Sequence, residues 1–237
     1  VAQTAPFDCD TTAYLFSGNP TRMYRLNLNS GVSQLVADPI ISNPPNQALN
    51  AFGFNPADGH VWGYRSGTDQ IVRIASDYSV TIFSIPGLPI ISHQTGEISD
   101  NGIMYLYAGN VPDNVFYRID LNLPSPQLIL PNLSIIPTLV ADWAFSPIDD
   151  NLYTIASNTF EVYRFDTLGN RTFVGNATGG GVNAGDNFGG IFMDDLGNMY
   201  GYKNTSGEIF KIDQPHTGNT TANLFSQGPA STIPVDG

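Results

Sequence analysis

The sequence predicts an all-β protein, a β-propeller of five four-stranded blades in which the C-terminal strand completes the first blade. Three observations predict this fold: a recurring cation, an aromatic residue recurring with the same period, and short strands separated by turns. No segment has a convincing 3.6-residue apolar period, so helices are not expected. The whole chain, residues 1–237, is predicted to form one β-propeller domain.

A cationic residue recurs at the same position of five similar strands, such as MYRLN at 23–27 and VYRFD at 162–166. Successive cations are 48, 45, 46 and 47 residues apart, and aromatic residues that follow a turn recur at intervals of 48, 43, 48 and 47. Two landmarks with one period indicate an internal repeat. The cations are Arg25, Arg73, Arg118, Arg164 and Lys211, and the aromatics are Tyr14, Trp62, Tyr105, Tyr153 and Tyr200.

Each repeat reads as four short strands. In the second unit, the strands NAFGF, HVWGY, QIVRI and VTIFSI are separated by the turns NPADG, RSGTD and ASDYS. Gly, Asn and Asp favour hairpin turns because they tolerate positive φ. The first unit lacks an innermost strand, and STIPVDG at 231–237 reads as one, so the ends of the chain are expected to close the ring. A six-bladed alternative would place an irregular blade in the 175–190 loop.

The repeated cations are interpreted as structural. Side chains alternate faces along a strand, so Arg164 and Asp166 share one face and are close enough for a charge-assisted pair. The same spacing recurs in Arg118 with Asp120 and in Lys211 with Asp213. We expect each cation's stem to pack between blades and its head to meet a carboxylate or a carbonyl. The alternative is a ring of five cations that binds one anionic ligand.

Composition narrows the classes of partner. The formal net charge of −12 argues against nucleic acid and against an anionic membrane surface. No apolar run approaches about 18 residues, so no membrane span is expected. The abundance of Asn, Ser, Thr and Gly, and a start at VAQTAPFDCD, suggest a processed, secreted or cell-surface chain. Five Asn-x-Ser/Thr sequons are candidate glycosylation sites: Asn132, Asn170, Asn176, Asn204 and Asn219.

Several segments resemble the DUF6923 family of secreted or cell-surface propeller-like domains of unknown function. They are CDTTAYL, PTRMYRLNLNSG, AFGFNPADGHVWGY, ADWAFSPIDDNLYTI and FMDDLGNMYGYKNTSGEIFKID. The resemblance covers nearly the whole chain and implies an extracellular protein, often beside adhesin-like modules, without an established catalytic residue. It also implies that Cys9, the single cysteine, pairs with a cysteine beyond residue 237. Alternatively, Cys9 is a free thiol or bridges two copies.

No catalytic, metal-binding or cofactor-binding signature is recognisable in the sequence. His60, His93 and His216 lack metal-ligand spacing, and the acidic turn residues form no complete calcium loop. The Gly-rich stretch 175–187 lacks the Gly-Lys-Ser/Thr ending of a phosphate-binding loop. We therefore expect a protein that is not an enzyme and needs no cofactor.

Two regions are candidate binding surfaces. Innermost strands line the central channel of a propeller, and the polar residues expected there are Asn50, Glu97, Asp142 and Asp186. Trp143, beside Asp142, is a candidate for stacking on a sugar ring. The connectors between blades carry the pairs Ile40/Ile41, Ile90/Ile91 and Ile135/Ile136. One Ile of each pair is expected to fill the gap between blades, and any exposed partner would mark an interface.

The first hypothesis is an extracellular, non-catalytic binding or adhesion module whose ligand is a glycan or a protein. The second is a structural subunit that assembles with copies of itself into a filament or matrix. The third is a hydrolase or lyase that uses carboxylates of the central channel. Fold class alone does not decide among them.

Overall fold

The computed structural model describes residues 5–7, 12–41, 48–109, 115–134, 140–157, 159–183, 185–230 and 235–237. Within these residues the chain forms five four-stranded antiparallel sheets and one short 3₁₀ helix, Pro215–Thr217. The sheets are the blades of a β-propeller, as the sequence predicts. The 175–190 loop leads directly into the fifth sheet, so the five-bladed prediction is confirmed.

The strands follow the chain from blade to blade. Blade 1 contains β1 (Thr12–Ser17), β2 (Arg22–Asn27) and β3 (Ser33–Ala37). Blade 2 contains β4 (Leu49–Asn55), β5 (His60–Arg65), β6 (Gln70–Ile74) and β7 (Val80–Ser84). Blade 3 contains β8 (Thr95–Ile98), β9 (Ile103–Ala108), β10 (Val115–Asp120) and β11 (Gln127–Ser134). Blade 4 contains β12 (Ala144–Phe145), β13 (Leu152–Ile155), β14 (Glu161–Phe165) and β15 (Arg171–Asn176). Blade 5 contains β16 (Phe188–Met193), β17 (Met199–Lys203), β18 (Glu208–Ile212) and β19 (Ala222–Gln227), and β20 (Val235–Asp236) completes blade 1.

The C-terminal strand closes the ring. β20 pairs antiparallel with β1, with Asp236 opposite Phe16 and Val235 opposite Ser17. The innermost strands are therefore β20, β4, β8, β12 and β16. Closure joins the two ends of the chain in one sheet and leaves only the outermost strands as edges.

The core lies between neighbouring blades. One apolar cluster joins Trp62 and Ile71 of blade 2 to Met104 and Ile119 of blade 3, and a similar cluster joins blades 4 and 5. The second and third strands of blades 2–5 are mostly buried on both faces because a blade packs on either side of them, whereas β2 in blade 1 leaves Arg22, Arg25 and Asn27 exposed. Burial of each large apolar side chain contributes about 1.5–3 kcal/mol. These inter-blade contacts hold the innermost strands around the axis.

Strand direction gives the disc two distinct faces. Because successive strands are antiparallel, the turns between the first and second strands of blades 2–5 all lie on one face, here called the inner-hairpin face. The connectors that lead from one blade to the next lie on the opposite face, here called the connector face. The turns of the inner-hairpin face are residues 56–59, 99–102, 146–151 and 194–198.

The two repeated landmarks of the sequence lie directly opposite each other. In each blade the recurring aromatic of the second strand lies opposite the recurring cation of the third: Tyr14 with Arg25, Trp62 with Arg73, Tyr105 with Arg118, Tyr153 with Arg164, and Tyr200 with Lys211. In blade 2 the Arg73 guanidinium lies 5.8 Å from the centroid of the Trp62 ring, and in blade 5 the Lys211 ammonium lies 5.8 Å from that of Tyr200. The shared period therefore reflects cross-strand cation–aromatic pairing.

The cations meet different polar partners. Lys211 pairs with Asp213 at 2.6 Å, as the sequence predicts. Arg118 instead donates to the carbonyl of Pro131 at 3.0 Å, and Arg164 lies 3.8 Å from Asp149. The predicted partners have another role: Asp120 accepts from the backbone of Asn122, and Asp166 accepts from Leu168 and Asn170. Spacing along one strand is a poor guide here because each aspartate stabilises its own turn.

Candidate functional site

A half-open cavity of about 640 Å³ lies at the axis on the inner-hairpin face, and all five blades contribute to its wall. Aromatic side chains form much of this central cavity: Tyr14, Phe16, Phe52, Phe54, Phe145, Phe192 and Tyr200. Phe16 and Phe52 stack face to face across blades 1 and 2, with ring centroids 3.5 Å apart. Volume and lining are typical of a site for a small ligand or for a side chain of a larger one.

The charged groups of the wall are all acidic. Glu97, Asp100, Asp194 and Asp195 line the central cavity, and no described lining residue is Lys, Arg or His. Asp194 is engaged in its turn, where it accepts from Leu196, Asn198 and the Tyr200 hydroxyl. Its carboxylate is therefore a structural group, whereas Asp100 and Asp195 are exposed at the mouth.

Polar residues on the innermost strands join each blade to the next. Asn50 lies opposite Tyr64, and its amide donates to the carbonyls of His93 and Gln94 at 3.3 and 3.2 Å. Thr95 lies opposite Tyr107 in blade 3, and its hydroxyl donates to the carbonyl of Ala141 at 2.7 Å. Asn50 is thus a link between blades 2 and 3, a role that its position in the sequence did not reveal.

Two aspartates form the equivalent links in blades 4 and 1. Asp142 Oδ2 accepts the backbone N–H of Ile191 at 2.6 Å, and Asp236 Oδ2 accepts that of Phe52 at 2.9 Å. Asp142 was predicted to line the channel, whereas Asp236 was not. Its position could have been inferred from the sequence, since Asp236 belongs to the strand expected to close blade 1.

Glu97, Asp142 and Asp236 form an acidic cluster at the axis, beneath the central cavity. Asp142 and Asp236 are buried, whereas Glu97 is half-buried and faces the cavity. Burial, with a smaller effect from the Asp236 charge, raises the pKa of Glu97 to about 8. Burial likewise raises the pKa of Asp236 to about 8, and burial with the charges of Asp236 and Glu97 raises that of Asp142 well above its usual range.

One oxygen of the acidic cluster lacks a partner. Asp142 Oδ1 is buried and has no hydrogen-bond partner among the described residues. A buried, unpaired carboxylate oxygen is costly, and burial accordingly raises the pKa of Asp142 well above its usual range.

The structure places the remaining predicted site residues away from the central cavity. Trp143 has no exposed surface and packs against Tyr107, Phe116 and Phe165, so no sugar ring can stack on it. This placement corrects the prediction for Trp143: the residue precedes β12, and its side chain packs into the apolar core between blades 3 and 4. Asp186 forms an ion pair with Lys203 at 2.9 Å instead of lining the cavity.

The isoleucine connectors are mostly covered. Ile40 and Ile41 are both buried, as expected for residues that fill the gap between blades, so neither is an exposed residue that would mark an interface. Ile91 packs against the core of blades 2 and 3, whereas Ile90 is 65% exposed. Ile135 and Ile136 lie outside the described residues, as does Cys9.

The five sequons differ in accessibility. Asn132, Asn170 and Asn176 are exposed, and Asn219 is half-buried. Asn204 is buried, and its side-chain oxygen accepts the backbone N–H of Val235 at 3.4 Å. The structure therefore corrects the prediction for Asn204, since a buried amide that joins blade 5 to the closing strand is not open to an oligosaccharide.

These features define the class of protein: a repeat-built, five-bladed β-propeller closed by its C-terminal strand. The model of the DUF6923 family, described as a repeat of unknown function, matches residues 12–237, and the chain belongs to this family. Comparison with curated proteins found no match.

Solved structures show the same fold at low sequence identity. The chain is similar to a Bacteroides thetaiotaomicron protein of unknown function (TM-score 0.56, 14% identity, 92% of this chain and 60% of that one). A chain of a nidogen/laminin complex gives a TM-score of 0.57 at 12% identity over 93% and 78%. A Xanthomonas campestris gluconolactonase gives 0.55 at 14% identity over 96% and 89%. At these identities the likeness is one of fold.

In the described part of the chain, no helix combines the length and the apolar character needed to cross a bilayer.

Proposed function

We propose that this protein is an extracellular, non-catalytic binding module that takes its ligand, a glycan or part of a protein, into the central cavity. The observation that supports this most directly is the cavity itself, an aromatic-lined site of about 640 Å³ to which all five blades contribute. Aromatic rings supply contact area with little loss of conformational freedom, and the mouth carboxylates supply hydrogen-bond acceptors. An extracellular location is proposed from the composition and from the exposed sequons.

The arrangement of the carboxyls favours binding over acid–base catalysis. Hydrolysis with two carboxyls requires both groups to reach the substrate. Here only Glu97 of the acidic cluster faces the central cavity, whereas Asp142 and Asp236 are buried and each bonds a backbone N–H of the next blade. We therefore propose that these two aspartates serve the architecture and that no turnover accompanies binding.

Replacement of Phe192 by alanine tests the proposal. Phe192 is half-buried, lines the central cavity and packs against the apolar cluster between blades 5 and 1, so F192A removes aromatic surface from the site while the buried residues of that cluster remain. Glycan and peptide arrays probed with the wild-type protein should identify a ligand, and F192A should weaken its binding by about tenfold or more, within the range of aromatic contacts.

A matched variant separates the cavity from the rest of the surface. Phe173 is 53% exposed on the outermost strand β15, far from the cavity wall, and F173A should leave affinity unchanged. Equal losses in both variants, or no array ligand at all, would contradict a binding site in the central cavity.

A second candidate is a subunit that assembles with copies of itself. Each outermost strand exposes a large apolar side chain at a similar register, and β19 also exposes Phe225. The residues at the shared register are Leu35, Ile82, Leu130, Phe173 and Leu224, between 38% and 71% exposed. Exposed apolar residues on edge strands favour association. Light scattering should then give a native mass far above 25.6 kDa that falls to the monomer mass in F173S/L224S, whereas a monomeric wild type contradicts assembly.

A further inference from the structure

We infer that the ligand group received by the central cavity is a positively charged nitrogen on an apolar stem, an alkyl or aryl ammonium, and that it lies against Glu97. This inference rests on the proposed function, because it assigns the chemistry of the ligand that the cavity binds. The source of the group is either a small amine or a lysine side chain of a protein.

The position of Glu97 supports the inference. Its Oε1 accepts the backbone N–H of Ile98 at 2.8 Å, which fixes the carboxyl at the base of the cavity wall. The neighbouring innermost strand carries Gly53, where a Cβ would lie 2.9 Å from Glu97 Oε1 and 2.8 Å from Glu97 Cα. A larger residue would displace the glutamate, so blade 2 leaves room for this carboxyl at the axis.

The titratable groups around Glu97 are all acidic. Asp236 on β20 and Asp142 before β12 face it from blades 1 and 4, and Asp100 lies in its own hairpin. The innermost strands of blades 2 and 5 contribute no titratable residue, and no described wall residue is cationic. A concave, low-dielectric site with one sign of charge concentrates counter-ions, so a cation is attracted and an anion is repelled.

Two observations indicate that the acidic cluster is incomplete without a cation. The oxygen Asp142 Oδ1 is buried without a hydrogen-bond partner in the described structure, and its carboxyl is close enough to Glu97 for the charge of Glu97 to raise the Asp142 pKa. The charge of Asp236 raises the pKa of Glu97, and the charges of Asp236 and Glu97 raise that of Asp142, in each case beyond the effect of burial. A bound ammonium would relieve this repulsion, so that Glu97 ionises and binding releases a proton.

The wall chemistry favours an organic ammonium over a metal ion. Among the described residues, no group of three His, Cys, Asp or Glu side chains is arranged to hold a metal. The rings of Phe54, Phe145 and Phe192 instead offer faces and edges to an apolar stem. Aromatic faces also attract ammonium groups, which adds about 0.5–2 kcal/mol at such sites.

A series of three probes on one scaffold tests the charge preference. Phenethylamine, 2-phenylethanol and phenylacetate share a phenyl ring and differ in an ammonium, a hydroxyl and a carboxylate. At pH 8 calorimetry should give about tenfold tighter binding of the amine than of the alcohol, and the acid should bind most weakly. Amine affinity should rise from pH 6 to pH 8 as Glu97 ionises, and heats in two buffers of different ionisation enthalpy should show proton release.

Glu97→Gln should reduce the preference for amine over alcohol to within about twofold, because the amide keeps the shape and removes the charge. Glu161→Gln is the matched control, since Glu161 lies on β14 outside the cavity wall and should leave the preference unchanged. If E97Q does not fold, the binding of the three probes to the wild-type protein, and its dependence on pH, still test the inference. A peptide with an acetylated N-terminus, an amidated C-terminus and one lysine is compared with the same peptide in which norleucine replaces the lysine. Tighter binding of the lysine peptide would indicate a protein ligand, and equal binding of the two would indicate a small amine.

Equal binding of amine and alcohol would overturn the charge inference and leave a cavity that binds apolar groups. Preferential binding of the acid, or an unchanged preference in E97Q, would overturn it as well. Absence of binding by all probes would also overturn the inference, while the array ligand and its response to F192A separately decide the proposed function.

Discussion

Replacement of Gly96 by alanine is expected to destabilise the protein by about 3 kcal/mol, or about 6–12 °C in melting temperature. Gly96 lies on β8, where this innermost strand passes the innermost strand of blade 2. A Cβ at Gly96 would lie 2.2 Å from the carbonyl oxygen of Ala51 and 2.5 Å from its carbonyl carbon. Both atoms belong to the backbone, so relief requires blades 2 and 3 to move apart.

The backbone conformation of the neighbouring strand β4 adds to the loss of stability expected for G96A. Ala51 has a φ of 56°, in the left-handed region, and lies within a register irregularity between Asn50 and Gly53. A non-glycine residue in this conformation is already constrained and cannot easily yield. Thermal unfolding followed by circular dichroism measures the change.

Gly175→Ala provides the comparison. Gly175 lies on the outermost strand β15, and a Cβ there would meet only the side chain of Thr220 at 3.0 Å. This side chain can rotate, so the cost should stay below about 1 kcal/mol. Equal melting temperatures of G96A and G175A would show that the innermost strands are not held as closely as the structure indicates.

The sequence predicts the ring because the ring is built from repeats. Period, turn residues and the incomplete first unit all depend on local chemistry, which recurs in every blade and is readable without coordinates. The pairing of the repeated aromatics with the repeated cations follows from the same period. An aspartate that accompanies this aromatic–cation pair was also readable in two blades, because Asp58 precedes Trp62 by four residues and Asp149 precedes Tyr153 by four. In the structure each aspartate accepts a hydrogen bond from its aromatic residue.

The candidate site was predictable only in part, because it is made by positions that differ between blades. Glu97 and Asp142 could be assigned to innermost strands from the repeat, but their separation and burial depend on how five blades meet at the axis. The two sides of a short innermost strand are also hard to assign, so Trp143 was expected at the channel and is found in the core. Asp236 lies in a two-residue strand with little sequence signal.

The melting temperature is expected to fall by about 5 °C or more as the pH rises from about 6.5 to about 8. Carboxyls in an unfolded chain titrate near about 4, whereas burial raises the pKa of Glu97 and of Asp236 to about 8 and that of Asp142 well above its usual range. Between these limits the folded protein holds more protons than the unfolded chain. Stability therefore decreases as pH rises, which is the reverse of the common case for acidic residues.

Other titrating groups determine the pH range over which the melting temperature reports on the acidic cluster. Burial lowers the pKa of His93 to about 4, so His93 makes stability increase with pH up to its unfolded pKa near about 6.5. Hydrogen bonds in their turns lower the pKa values of Asp149, Asp166 and Asp194, whose stabilising effect is lost only as the pH falls below about 4. Above about 6.5 the acidic cluster is therefore the main source of pH dependence among these groups.

Asp142→Asn isolates the acidic cluster. The amide oxygen can still accept the N–H of Ile191, while the substitution removes one buried acid whose pKa is raised by burial and by the charges of Asp236 and Glu97. D142N should melt at a higher temperature than the wild type at pH 8 and should lose less stability between pH 6.5 and 8. Asp100→Asn, at the exposed mouth of the same cavity, should reproduce the wild-type slope. A wild-type melting temperature that rises over this window, or equal slopes in D142N and the wild type, would show that the three carboxyls are ionised in the folded protein.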